Sequence, residues 1–133
     1  MLPFIILLWT LSSCNDTNYK QNPELQKSIE RGAIVYEDFC MQCHLPEGNG
    51  VPKAFPPLDG SDYLMNMRKE SIQAVKFGMS GKITVNGQNY NTAMAPLGLT
   101  DEEVTDVLNY VTNSWSNKNS KMFTVDEVSK IQP

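Results

Sequence analysis

Residues 37–50 read EDFCMQCHLPEGNG, and within them Cys40-Met41-Gln42-Cys43-His44 gather two thiols and one imidazole into five positions. His44 is the only histidine among 133 residues. On a helical turn, positions i, i+3 and i+4 share one face, so both sulfurs and the ring project to the same side. Two thiols at this spacing form a disulfide, half a metal site or a pair of attachment points for a haem.

Context separates these readings. A redox dithiol of the thioredoxin kind sits in a βαβ unit, whereas only a helical pattern precedes Cys40. Structural zinc takes four ligands, and with Cys14 assigned elsewhere no further Cys or His completes a set. A disulfide across two intervening residues closes too small a loop to stabilise much. C-x-x-C-H therefore reads as haem attachment, with thioethers from Cys40 and Cys43 and an axial imidazole from His44.

A single histidine excludes bis-histidine ligation within the chain, so a sixth ligand is a methionine, a lysine, a weaker group or nothing. Of seven methionines, Met1 departs with the leader and Met41 is trapped inside the motif. Met65, Met67, Met79, Met94 and Met122 remain. Met94, in YNTAMAPLG, is the chosen ligand because a Gly/Asn-rich segment backed by Pro96 presents its side chain well. Met79, in the turn Gly78-Met79-Ser80-Gly81, is the rival, and most methionines are plain core filler.

The N-terminus bears on where this chemistry happens. The apolar run Leu2–Leu11 would extend only about 15 Å as a helix, half a bilayer core, and reads as the apolar part of a signal peptide. Leu11-Ser12-Ser13-Cys14 has the form of a bacterial lipobox, although no Lys or Arg precedes the apolar run. The expected organisation is a lipoprotein signal peptide over 1–13, lipidated Cys14 with a flexible tether over 14–22, and one domain over 23–133. Cys14 would anchor the protein to a membrane on the extracytoplasmic, periplasmic side. Fifteen acidic against eleven basic residues give a net charge of −4, with no basic run to suit nucleic acid.

Downstream the pattern is mostly helical. Asn22 and Pro23 form a helix start, and Leu25, Ile29, Ala33, Tyr36 and Cys40 keep helical spacing around Gly32. LPEGNGVPKAFPPLDGS reads as an ordered loop, with a short turn near 62–67 and a helix over 69–77 stopped by Gly78. Asn86-Gly87 signals a short hairpin. Thr100–Glu103 forms a capping box ahead of an apolar face of Val104, Val107, Leu108, Val111 and Trp115. Thr124–Glu127 forms another ahead of a short terminal helix.

From about Pro23 to Trp115 the chain resembles a class I cytochrome c. The resemblance rests on Gly32 with Tyr36, Cys40-Met41-Gln42-Cys43-His44, the FPPL run, the Met94 loop and the final helix with Tyr110. It is similar in particular to the cytochrome c modules that work with bacterial copper nitrite reductases and quinoprotein dehydrogenases. The resemblance implies an all-α fold packed around one covalently bound haem c, with long ordered loops and a short hairpin. It implies thioethers at Cys40 and Cys43, proximal His44 and distal Met94. It further implies that the Pro56 carbonyl accepts a hydrogen bond from His44, that Leu58 packs on the haem, and that Tyr110 lies over Gly32 where two helices cross.

The function expected is one-electron transfer between redox proteins rather than catalysis, by a monomer or by a subunit of a respiratory or dehydrogenase complex. An open-site haem that binds peroxide or a gas is a lesser alternative, since no distal His or Arg lies in the Met94 loop. Lys53, Lys76 and Lys82 are candidates to surround a haem edge and steer an acidic partner. The tail SNKNSKMFTVDEVSKIQP either docks a partner or caps its own domain, the second being the preferred reading.

Overall fold

Helix α1 spans Pro23–Phe39 and starts directly after the non-helical cap Asn22: the Asn22 side-chain oxygen accepts from the Glu24 amide at 3.0 Å, and Pro23 has no N–H to satisfy in the first turn. The computed structural model describes residues 22–133. The signal segment, Cys14 and the tether as far as residue 21 lie outside the described residues, and Asn22 caps the helix as the Asn22-Pro23 start implied. After α1 come α2 (Met41–His44), α3 (Asp62–Asn66), α4 (Arg68–Phe77), β1 (Ile83–Val85), β2 (Gln88–Tyr90), α5 (Asp101–Val111) and α6 (Val125–Ser129). The two strands pair antiparallel around Asn86-Gly87, with Ile83 opposite Tyr90 and Val85 opposite Gln88. Among the described residues no helix is long and apolar enough to cross a membrane.

The main contact lies between α1 and α5, and it is made at Gly32. A β-carbon there would lie 2.0 Å from the carbonyl oxygen of Asp106 and 2.8 Å from Cβ of Tyr110, so only glycine lets the helices approach this closely. The buried stripe of α1 is Ser28, Gly32, Val35 and Tyr36, while Leu25, Ile29 and Ala33 are half-buried on its flank. The stripe is therefore rotated from the one apolar spacing alone suggests. Its small and polar members escape a hydrophobic count, yet the Ser28 hydroxyl donates to Asp106 Oδ1 at 2.6 Å within the interface.

Helix α5 opens with the expected capping box: Thr100 Oγ1 accepts from the Glu103 amide, and Glu103 Oε2 accepts from the Thr100 amide at 2.8 Å. Val104, Val107, Leu108 and Val111 are buried as anticipated. Trp115 is not on that face, because the helix ends at Val111 and Trp115 has φ of 55°. Its ring folds back against Tyr36 and Tyr110, at centroid distances of 5.5 and 6.0 Å. Its indole N–H donates to the Pro46 carbonyl.

The C-terminal tail is part of the core. Phe123 and Val128 are 1% and 0% exposed, so the tail packs on its own domain. The Arg68 guanidinium lies 3.6 Å from the Phe123 ring centre, donates to both carboxylate oxygens of Glu127 and also reaches the carbonyls of Lys121 and Met122. This alters the second capping box. Thr124 does cap α6 through the Glu127 amide, but the Glu127 side chain serves Arg68 in place of the cap.

Candidate functional site

The loop that leaves the C-x-x-C-H turn folds back on it. His44 N–H donates to the Cys40 carbonyl at 3.0 Å, closing the helical turn, and Leu45 then leaves the helix with φ of 65°. Gly50 N–H donates to the His44 carbonyl. A β-carbon on Gly50 would meet the Phe55 and Pro56 carbonyl oxygens at 2.3 and 2.6 Å, so this glycine admits the returning Phe55-Pro56 strand. That return places the Pro56 carbonyl oxygen 2.9 Å from His44 Nδ1. A carbonyl only accepts, so the proton of the neutral ring resides on Nδ1 and Nε2 keeps its lone pair for a metal. Burial lowers the His44 pKa, opposed by the Pro56 hydrogen bond, which favours the neutral, ligand-competent ring.

Two adjoining cavities meet at this ring. The inner one is walled mainly by apolar side chains, among them Leu58, Leu64, Val75, Ile83 and Val107. Cys40, His44, Pro56, Met79, Ile83 and Met94 border both cavities. Cys43 lines only the outer cavity, and Leu58 only the inner. Every site residue expected within the domain thus borders this one cleft. Cys40 and Cys43 are both free thiols, Cys40 buried and Cys43 exposed. Burial pushes the Cys40 thiol up to about 11, with the neighbouring Cys43 adding to the shift, so it stays protonated at neutral pH and is a poor partner for disulfide exchange.

Of the five methionines carried forward as sixth ligands, Met79 and Met94 reach this cleft. Met65 and Met122 border other hollows, and Met67 is 41% exposed. Met79 and Met94 are backbone partners: each amide donates to the other's carbonyl, at 2.9 and 2.8 Å. Pro96, two positions beyond Met94, sits against Gly78 rather than in the cleft. Sequence reasoning did not single out Val75 or Ser71, which α4 contributes to the inner wall. Val75 follows from the 3.6-residue period of 68–77. Ser71 carries no such signal, being a buried hydroxyl with no hydrogen-bond partner. Lys76 was a candidate for the rim, but it pairs with Asp101 of α5 at 2.8 Å and donates to the Val128 carbonyl of α6. Lys53 and Lys82 are exposed.

The donor set suits a haem: two thiols one helical turn apart, one imidazole of fixed tautomer, two methionines bordering the same cleft and apolar walls of Ile83, Leu58 and Val107. Among the described residues no three His, Cys, Asp or Glu side chains converge as a metal cluster.

The family profile described as "Cytochrome c" matches residues 29–115. The chain belongs to the cytochrome c family. Cytochrome c-552 of Thermus thermophilus is 37% identical over 110 residues, covering 76% of this chain and 83% of that protein. The cytochrome c subunit of the quinone alcohol dehydrogenase of Gluconacetobacter polyoxogenes is 30% identical over 105 residues, again 76% of this chain but only 22% of that subunit. The counterpart from Gluconobacter oxydans matches equally well, at 30% over 106 residues. The protein is therefore a cytochrome c electron carrier with one covalently bound haem c. Its mostly helical architecture with one small hairpin agrees with the class I fold.

Proposed function

We propose that this cytochrome c is a lipid-anchored, one-electron shuttle whose haem is held by Cys40, Cys43, His44 and Met94, and that it performs no substrate chemistry of its own. The observation that carries this reading is the convergence of His44, fixed by Pro56, with two thioethers on one apolar cleft. Bound there, the haem supplies reversible ferric–ferrous chemistry. Everything else is done by the chain. His44 offers Nε2 while the Pro56 carbonyl holds the ring and strengthens it as a donor. Met94 offers a soft sulfur, which favours the ferrous state, and the apolar walls exclude water and favour it further. With His44 and Met94 both engaged, the haem would have no vacancy for peroxide or a gas, which is why the carrier reading is preferred to an open site.

Cys14 supplies the address. A triacylated N-terminal cysteine exceeds the two lipid signals that stable anchoring requires. Tethered on the periplasmic side, the domain would meet donor and acceptor proteins at a raised effective concentration. A second reading, a haem subunit within a dehydrogenase complex, draws support from the alcohol dehydrogenase relatives.

The attachment is tested by exporting the chain in a host with c-type maturation and staining denaturing gels for haem. The wild-type band stains; Cys40→Ala/Cys43→Ala does not. A stained double variant, or an unstained wild type beside a stained control cytochrome, would overturn the assignment.

A further inference from the structure

Met79 and Met94 exchange both backbone hydrogen bonds, Met79 N–H to Met94 C=O at 2.9 Å and Met94 N–H to Met79 C=O at 2.8 Å. Residues paired in this way across antiparallel chain project their side chains to the same face, with Cα atoms about 5.5 Å apart. That face is the haem cleft, since both residues border its inner and outer cavities beside His44. The pairing is isolated, outside the β1–β2 ladder, so it joins just the turn after α4 to the segment after β2. Gly78 fixes it from the other side: a β-carbon there would lie 2.6 Å from the Met94 carbonyl oxygen and 2.8 Å from the Pro96 nitrogen. The two segments are thus joined through backbone hydrogen bonds that do not involve either methionine side chain. Loss of a ligand bond from Met94 would not release the loop, and Met79 would keep its place.

Resting on the His44/Met94 reading, we propose that Met79 is a reserve sixth ligand, a second thioether that takes over when Met94 is lost or displaced. The chemistry of Met suits the role. It is unbranched, has three rotatable side-chain bonds and carries a polarizable sulfur, so an exchange between backbone partners needs rotamer changes and little backbone motion. The donor type stays the same after exchange, so the haem stays low-spin and closed to exogenous ligands. What changes is the geometry of the sulfur, and with it the reduction potential.

The test uses four matured proteins: wild type, Met79→Leu, Met94→Leu and Met79→Leu/Met94→Leu. Leucine approximates methionine in volume, which keeps the cleft packed; Met94→Ala is made in parallel in case leucine obstructs the cleft. The readouts are the weak ferric methionine-to-iron band, the reduction potential and carbon monoxide binding to the ferrous form. The expected pattern is an unchanged band in Met79→Leu, a retained band with shifted potential in Met94→Leu or Met94→Ala, and loss of the band with rapid carbon monoxide binding in the double variant alone. Loss of the band in both Met94 variants, to the level of the double variant, would overturn the reserve role and leave the His44/Met94 reading intact. A band that survives in the double variant, or that disappears in Met79→Leu, would overturn that reading as well.

Discussion

Gly32 of α1 meets the carbonyl oxygen of Asp106 in α5 so closely that an added β-carbon would stand 2.0 Å away. The obstacle is backbone, which cannot rotate aside, so Gly32→Ala must push the helices apart or bend one. The expected cost is about 3 kcal/mol, the upper part of the range for overpacked cores. Denaturant unfolding of the matured protein measures it. A loss under about 0.5 kcal/mol, the level of an ordinary surface change, would contradict this view of the crossing.

Phe123 is buried under the Arg68 guanidinium, so the tail contributes to the core. Phe123→Ala should destabilise the fold by about 3–5 kcal/mol, as for other large buried aromatics. A partner-docking tail would instead lose partner binding with stability unchanged, and thermal unfolding of the isolated protein separates the two.

The Arg68 hydrogen bonds, stronger than the opposing effect of burial, hold the Glu127 carboxyl below its ordinary pKa. A carboxylate whose folded pKa is depressed stabilises the fold above its unfolded value, and that contribution fades as pH falls through the folded one. Glu127→Gln should therefore lower Tm at pH 7. The gap to wild type should begin to narrow as the pH falls below the usual glutamate value, about 4.3, and close only below the depressed folded value. A gap that persists unchanged at pH 2–3 would mean that packing, not charge, is what the substitution removes.

Cys14→Ser should move the protein from the membrane fraction to the soluble extracytoplasmic fraction with its haem attached. Cell fractionation with haem staining reads this directly. Retention in the membrane after carbonate wash would show that something other than lipid on Cys14 holds it there.

Much of this molecule is legible in the one-dimensional text because its signals are local. Asn22-Pro23, Gly78 after α4, Asn86-Gly87 and Thr100–Glu103 each act within one turn of chain, and each stands where expected. The Cys40–His44 spacing is local too, and its Pro56 partner follows only 12 residues on. What escaped depends on distant pairing. Lys76 carries no mark showing that Asp101 and Val128 claim it. The Glu127 side chain leaves its own cap for an arginine 59 residues away. Trp115 extends the apolar period of α5 on paper, but the chain turns at Val111 and the ring closes over Tyr36 instead. The pairing of Met79 with Met94 is of the same kind, since two flexible methionines in separate turns look independent until the backbone joins them.

The central claim is a closed, low-spin haem held by His44 and a methionine. The most direct measurement is a spectroscopic redox titration of the matured wild-type protein, followed through its visible bands and the ferric methionine-to-iron band. The expected result is one reversible one-electron transition, sharp reduced bands, a methionine band in the oxidised form and slow carbon monoxide binding in the reduced form. A high-spin oxidised spectrum without the methionine band, with rapid carbon monoxide binding on reduction, would contradict it.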